Sequence, residues 1–247
     1  MLEPCVNQAA GLQALALQHT VRLIAMTSHG HQQGELPLLW GLCARWIDMG
    51  LSVAVLDGHA CESDTNPGLA QLLDNPLNRL TEDTEREAWL VLPAACGLQR
   101  LCTTNLLMDS VHDACKGYDI VLIYADAAAL TRLLKGTRLA PLLVVPPTQN
   151  AALSAYAALK QLLLQGRLHP TVANIVPEPL ATAPHLKTQS AMNLMQCATT
   201  FLGYRVTPQT VVARSGPGQA HDDLARLALQ LFENALPLQQ ARPERLH

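Results

Sequence analysis

The sequence predicts an α/β fold in which one doubly wound, mainly parallel β-sheet carries helices on both of its faces. Short apolar runs alternate with longer amphipathic stretches, which is the pattern of repeated strand–helix units. The apolar runs are nearly continuous, as is typical of strands that are buried on both faces. Of the 247 residues, 49% are hydrophobic and only 15% are charged, so the chain is able to bury a large core.

Six apolar runs are predicted as strands because each is short, rich in aliphatic residues and bounded by polar or turn-forming residues. In chain order they cover residues 21–27, 51–57, 89–93, 118–125, 139–145 and 171–176.

Five stretches are predicted as helices because their apolar residues recur at spacings of three and four. In the first, Leu39, Leu42 and Trp46 form one stripe. The five helices cover residues 36–49, 101–115, 151–164, 186–201 and 222–236. Residues 74–87 are polar and carry a cluster of charges, which predicts an excursion on the surface.

The chain divides into three segments, with no break in composition that would indicate a second large domain. Residues 1–20 form an N-terminal segment, residues 21–236 form the α/β domain, and residues 237–247 form a tail that we expect to be mobile.

Charge and cysteine content exclude several classes of protein. The net charge is −3, so a primary nucleic-acid binder is disfavoured. The seven cysteines show no metal-type or CxxC pairing, which favours reduced thiols. No signal peptide and no apolar run long enough to span a membrane is recognisable, so a cytoplasmic protein is expected.

The first strand leads into a loop and then a helix, which is the layout of a phosphate-binding P-loop. Such a loop needs small residues around the phosphates, a lysine, and a serine or threonine for Mg²⁺. This loop instead reads Ser28, His29, Gly30, His31, Gln32, Gln33, Gly34, Glu35 and Leu36.

The order of several short motifs resembles the MinD/ParA-type deviant P-loop ATPases, and among them the FlhG (FleN) regulators of flagellar number. That family carries a DQAxGLR segment, a glycine- and lysine-rich P-loop, a strand that ends in DAD, and a Y-D strand. The matching positions here are the segment 7–13, Ser28, Gly34, Asp57, the run 118–123, Asn174 and the stretch 201–204. The resemblance covers nearly all of residues 5–236.

The departures from the family pattern fall on the groups that neutralise a triphosphate. Gly30 and Glu35 occupy the two lysine positions, and Leu36 replaces the residue that binds Mg²⁺. In addition, His59 replaces the second aspartate of DAD, and Tyr124 replaces the aspartate that follows the Y-D strand. Phosphoryl transfer depends on these charges, so the resemblance implies a pseudo-ATPase without a bound cofactor.

Two alternatives to a non-catalytic flagellar regulator stay open. One is a switch that binds ATP or ADP without hydrolysis, through Asn174 and backbone amides. The other is a MinD-like accessory protein of another localisation or secretion system, such as cellulose secretion. The N-terminal segment favours the flagellar interpretation.

The segment NQAAGLQ is the candidate partner-binding element. In FlhG-type proteins its counterpart docks on the GTPase FlhF, and a glutamine at the position of Gln8 helps GTP hydrolysis. Asn7 and Gln13 replace two charged residues of that motif, and Leu12 keeps its apolar position. The resemblance therefore implies an FlhF-like GTPase or a flagellar basal-body component as partner, with recruitment to the cell pole or flagellar base. The other interpretation is a leader helix that packs on its own domain.

Three further features could indicate a metal site, a membrane contact and a dimer, but a simpler structural interpretation is favoured for each. His29, His31, His59 and Cys61 are able to bind metals, but polar loop residues that fill a vacated pocket are the favoured explanation. Helix 222–236 is acidic rather than basic, so packing on the sheet is favoured over membrane contact. Without ATP to join two copies, a monomer or weak dimer is expected.

Overall fold

The computed structural model describes residues 20–29, 32–74, 87–104, 107–146, 151–177, 189–213 and 220–238. In this part of the chain, seven strands form one parallel sheet in the order β3-β2-β4-β1-β5-β6-β7, and β8 pairs antiparallel with β1. The strands are β1 Arg22–Ser28, β2 Val53–Asp57, β3 Trp89–Pro93, β4 Ile120–Asp126, β5 Leu142–Val145, β6 Thr171–Pro177, β7 Gln209–Ala213 and β8 Leu236–Pro237.

Helices connect the parallel strands, as parallel pairing requires. They are α1 Gln32–Asp48, α2 Leu69–Asp74, α3 Ala95–Thr104, α4 Leu107–Ala114, α5 Ala127–Leu133, α6 Ala151–Gln161, α7 Gln189–Leu202 and α8 Ala220–Glu233. A π-helical turn, Leu162–Gly166, extends α6.

Two hydrophobic cores lie on the two faces of the sheet, which confirms the predicted doubly wound architecture. Helices α1 and α8 cover one face, where Trp46 is fully buried and its indole nitrogen donates to the Ala228 carbonyl at 3.0 Å. Helices α2 to α7 contribute to the core on the other face. The apolar face of α8 is thus buried against the sheet, as expected of a packed helix.

All six predicted strands are present, with ends that move by a few residues. Two further strands escape the sequence pattern. In β7 only Val211 and Val212 are strongly apolar, and β8 is two residues long. The second of these corrects the predicted tail boundary, since Pro237 pairs with β1 and Leu238 is buried. Residues 239–247 lie outside the described part of the chain.

The helices differ from prediction mainly at their ends. Helix α1 begins at Gln32, four residues before the predicted start, because the polar residues of its first turn carry no apolar period. Helices α3 and α4 cover most of the helix predicted for 101–115, and α3 already begins at Ala95; residues 105–106 lie outside the described part of the chain. The short helices α2 and α5 were not predicted. No helix in the described ranges is both long and apolar enough to cross a membrane.

The topology places one crevice at the carboxyl edge of the sheet. Strand β1 lies between β4 and β5, and the chain leaves β1 toward β2 on one side and leaves β4 toward β5 on the other. In doubly wound sheets this reversal of strand order marks the ligand-binding crevice. The ends of β1 and β4 and the beginning of α1 therefore form the candidate site.

Candidate functional site

A buried carboxylate occupies the junction between the candidate phosphate loop and α1. Glu35, in the first turn of α1, is 0% exposed. The Tyr124 hydroxyl, which comes from β4, donates to Oε2 of Glu35 at 2.8 Å. Tyr124 is itself only 3% exposed. The two residues that the sequence resemblance aligns with a lysine and an aspartate are therefore hydrogen-bonded to each other.

His29 completes this arrangement from the end of β1. Its backbone N–H donates to the other carboxylate oxygen of Glu35, Oε1, at 3.0 Å. Its ring nitrogen Nε2 lies 2.7 Å from the carbonyl oxygen of Val144 in β5. A carbonyl only accepts, so Nε2 carries the proton. The loop is thus anchored to α1 by its backbone and to β5 by its side chain.

The Tyr124 phenol is a permanent donor at neutral pH. Burial raises its pKa most, the Ser28 hydroxyl hydrogen bond lowers it, and the bond to Glu35 with the charges of Glu35 and Asp57 raises it again. The net pKa lies above the ordinary tyrosine value, so the phenol keeps its proton. The His59 ring sits edge-on to Tyr124, with 5.3 Å between the ring centroids.

The electrostatic consequence is that this helix N-terminus already holds an anion. Backbone N–H groups at such a terminus attract a phosphate in nucleotide-binding loops. Here Glu35 takes the His29 N–H and a phenolic O–H, so its buried charge is stabilised by two donors. A triphosphate at this position would meet the negative charge of Glu35, and it would find the His29 N–H already hydrogen-bonded.

Three more of the sequence-predicted positions lie along the same edge of the sheet. Asp57 accepts the backbone N–H of His59 at 2.9 Å, which closes a local turn after β2. Asn174 is 3% exposed in β6, in register with Val145 of β5. Leu36 is half-buried in α1.

Other predicted positions fall on residues for which less is described. Gly30 and His31 lie outside the described residues, as do Asn7, Gln8, Leu12 and Gln13. Gln32, Gln33 and Gly34 belong to α1 by their backbone. Among the described residues, no group of three or more His, Cys, Asp or Glu side chains is placed to hold a metal ion.

Sequence reasoning missed Glu62, a carboxylate that joins two helix N-termini. It accepts the backbone N–H groups of Cys96 and Gly97 of α3, both at 2.8 Å, and of Ala70 of α2 at 3.2 Å. Partial burial acts to raise its pKa, but the backbone hydrogen bonds outweigh it and leave the pKa below the ordinary value. Its partners are distant in sequence, so no local motif could have indicated it.

Comparison with known proteins identifies the fold. No protein-family model matches the sequence, and no curated protein does. Among solved structures, the chain is similar to MinD in the MinC:MinD cell division complex of Aquifex aeolicus, with a TM-score of 0.57 and 14% identity. The match covers 88% of this chain and 98% of that one. The chain has the fold of the MinD and ParA ATPases.

Two further structures support the same fold. A ParA family ATPase from Chlorobium tepidum TLS has a TM-score of 0.52 and 11% identity, covering 86% of this chain and 99% of that one. Cobyrinic acid a,c-diamide synthase from Mycobacterium smegmatis, with a bound ATP analog and magnesium, has a TM-score of 0.51 and 13% identity, covering 86% and 94%. At such identities the likeness shows a shared MinD/ParA-type fold alone.

Proposed function

We propose that this protein is a non-catalytic regulator with a MinD/ParA-type fold, which acts through contacts with other proteins and does not hydrolyse ATP. The observation that carries the proposal is the hydrogen bond between Glu35 and Tyr124. This hydrogen bond holds the Glu35 carboxylate at the junction of loop and helix. There Glu35 also accepts the His29 N–H, which a phosphate oxygen would need.

The charge balance supports the same conclusion. ATP binding in a P-loop requires cations around the phosphates and a carboxylate or hydroxyl for Mg²⁺. Among the residues described at this site, the charged side chains are the carboxylates Glu35, Asp57 and Asp126. An additional tetra-anion at this site would be repelled, and no lysine of this loop is present to offset it.

The test is nucleotide binding and turnover by the untagged protein, with and without Mg²⁺. We expect no heat of binding by calorimetry and no rise in melting temperature at millimolar ATP or ADP, since a ligand that binds only the folded state would raise it. Mg²⁺-dependent hydrolysis that Asp57→Asn abolishes would refute the proposal. Tight binding without turnover would instead favour a nucleotide-responsive switch.

We further propose that the regulated process is flagellar number, placement or assembly, with an FlhF-like GTPase as the partner. The support is the NQAAGLQ segment, which lies outside the described residues. A glutamine in this segment has the chemistry to orient an attacking water in a GTPase site. Gln8 is the residue that we assign to this role.

The experiment measures GTP hydrolysis by an FlhF-like GTPase in the presence of the full chain. We expect stimulation that Gln8→Ala removes and that the matched control Gln18→Ala, in the same segment but outside the motif, retains. A pull-down with each variant separates binding from stimulation. If the full chain neither binds the GTPase nor changes its rate, the flagellar assignment is wrong, whereas the pseudo-ATPase proposal is unaffected.

A further inference from the structure

A second concave surface lies at the amino edge of the sheet, opposite the Glu35 crevice. Helices α5 and α6 both run from the carboxyl edge back to the amino edge, and their ends meet there. Between them is a cavity of about 440 Å³, lined by Lys135, Gly136 and Thr137 after α5 and by Gly166 and Arg167 after α6. Its size is in the range of small-molecule sites.

The backbone beside this cavity is strained at Arg167. With φ 55° and ψ 35°, Arg167 is the one non-glycine residue of the described chain with a positive φ. It follows the π-helical turn, and its N–H caps the Leu162 carbonyl. Helices usually place glycine at this left-handed position. Here the glycine stands one residue earlier, at Gly166, and an arginine takes the strained position.

Gly166 and Arg167 could not exchange positions, because a side chain at position 166 would have little room. A Cβ at Gly166 would lie 3.0 Å from Leu168 and 3.4 Å from Thr131. The side chain of Thr131 is 5% exposed, and its hydroxyl makes no hydrogen bond within the described residues. Backbone strain and π-turns that a fold retains are concentrated at functional sites. The strained arginine is therefore an indication of binding at this cavity.

The charged residues that line the cavity, Lys135 and Arg167, have one sign. Residues 127–221 contain eight lysines and arginines and a single acidic residue, Glu178. Lys135 and Arg167 are exposed, and neither side chain forms an ion pair or hydrogen bond within the described ranges. The cavity lining contains no carboxylate. An anion that enters here meets two cations that have no competing partner in the described chain.

We propose that this cavity binds a phosphate-bearing small molecule, with Lys135 and Arg167 as its charged ligands. A guanidinium presents paired N–H donors that match phosphate oxygens, and the lysine ammonium adds a point charge. Gly136, at φ +83° and with open space around it, leaves room for an anion close to the backbone. This site goes beyond the proposed function and does not depend on it.

The experiment uses inorganic pyrophosphate as the probe and the full chain as the receptor. Calorimetry and amide chemical shifts are recorded against sodium chloride of equal ionic strength. Arg167→Gly removes the charge and at the same time relieves the positive φ, so this variant folds at least as well as the parent. We expect Arg167→Gly and Lys135→Gln each to weaken binding about tenfold or more, as the loss of a charged hydrogen bond implies.

Lys116→Gln is the matched control, because Lys116 is an exposed cation that precedes β4 on the same edge, outside the cavity lining. We expect it to change the affinity less than twofold, roughly the effect of a distant, screened charge. No binding at about 10 mM pyrophosphate, roughly ten times a weak Kd of about 1 mM, would overturn the proposal. An equal loss of pyrophosphate affinity in all three variants, together with displacement of pyrophosphate by duplex DNA, would also overturn the proposal. That result would indicate a diffuse polyanion-binding surface.

Discussion

The hydrogen bond between Tyr124 and Glu35 makes a quantitative prediction about stability. Tyr124→Phe keeps the ring and removes only the hydroxyl, which donates to a fully buried carboxylate at 2.8 Å. Hydrogen bonds to charged groups contribute about 1.5–3 kcal/mol to the free energy of unfolding. The carboxylate would keep only the His29 N–H as a partner, so the upper half of that range is expected.

The loss is large enough to measure by thermal or urea unfolding. For a domain of this size a change of 1 kcal/mol corresponds to about 2–4 °C in melting temperature, so Tyr124→Phe should lower it by roughly 5–12 °C. The matched control is Tyr156→Phe. Tyr156 is half-buried against Phe201, and its hydroxyl makes no hydrogen bond within the described chain.

A double-mutant cycle with Glu35→Gln then isolates the pair. Because the two side chains are in direct contact, we expect a coupling energy of about 1 kcal/mol or more. If Tyr124→Phe costs no more than the control, or if the coupling energy is near zero, Glu35 is not held by this hydrogen bond. Glu35 would then not be fixed in the loop, and the main support for a pseudo-ATPase would be lost.

Three other predictions test different parts of the fold. Glu62→Gln should lower the free energy of unfolding by about 1–3 kcal/mol at pH 7. Because the Glu62 pKa is below its ordinary value of 4.5, this contribution is present above pH 4.5 and is lost as the pH falls through the folded pKa, so the difference between the two proteins in urea unfolding should shrink as the pH is lowered below 4.5. Burial raises the pKa of Cys43 and Cys115 to about 12, so iodoacetamide should modify exposed Cys61 in the native protein and spare the two buried thiols, and equal rates by peptide mass spectrometry would contradict their burial. Gly68→Ala would force a methyl group onto a backbone oxygen at the end of β3, and a loss of about 3 kcal/mol or more is expected in chemical unfolding, whereas a loss below about 1 kcal/mol would show that the turn adapts.

The sequence predicts the layers of this fold well because burial on both faces leaves a strong local signal. The strand Ile120–Asp126 is apolar through Tyr124, and the helix that carries Trp46 has a clear stripe. Where burial is partial the signal fades. The edge strand Gln209–Ala213 has only two valines, and the helix Leu69–Asp74 is only six residues long.

The candidate site was predictable in its position but not in its bonding. The resemblance to P-loop proteins indicated that Glu35 and Tyr124 replace functional residues, and both lie at the predicted edge of the sheet. Their mutual hydrogen bond spans 89 positions in the sequence, so only the pairing of the folded chain reveals it. The same holds for Glu62, whose N–H donors Cys96 and Gly97 belong to a helix more than thirty residues away.

The short antiparallel pairing of β8 with β1 brings the two ends of the described body together. The Leu238 N–H donates to the Val21 carbonyl at 2.8 Å, so residues 1–19 and 239–247 attach at neighbouring points. A linker of a few residues between them, with new ends opened in a surface loop, should give a folded circular permutant. Any partner tethered through residues 1–19 starts roughly 23 Å from the Glu35 crevice, the length of the seven-residue strand β1. The attachment point and the Glu35 crevice thus lie at opposite edges of the sheet.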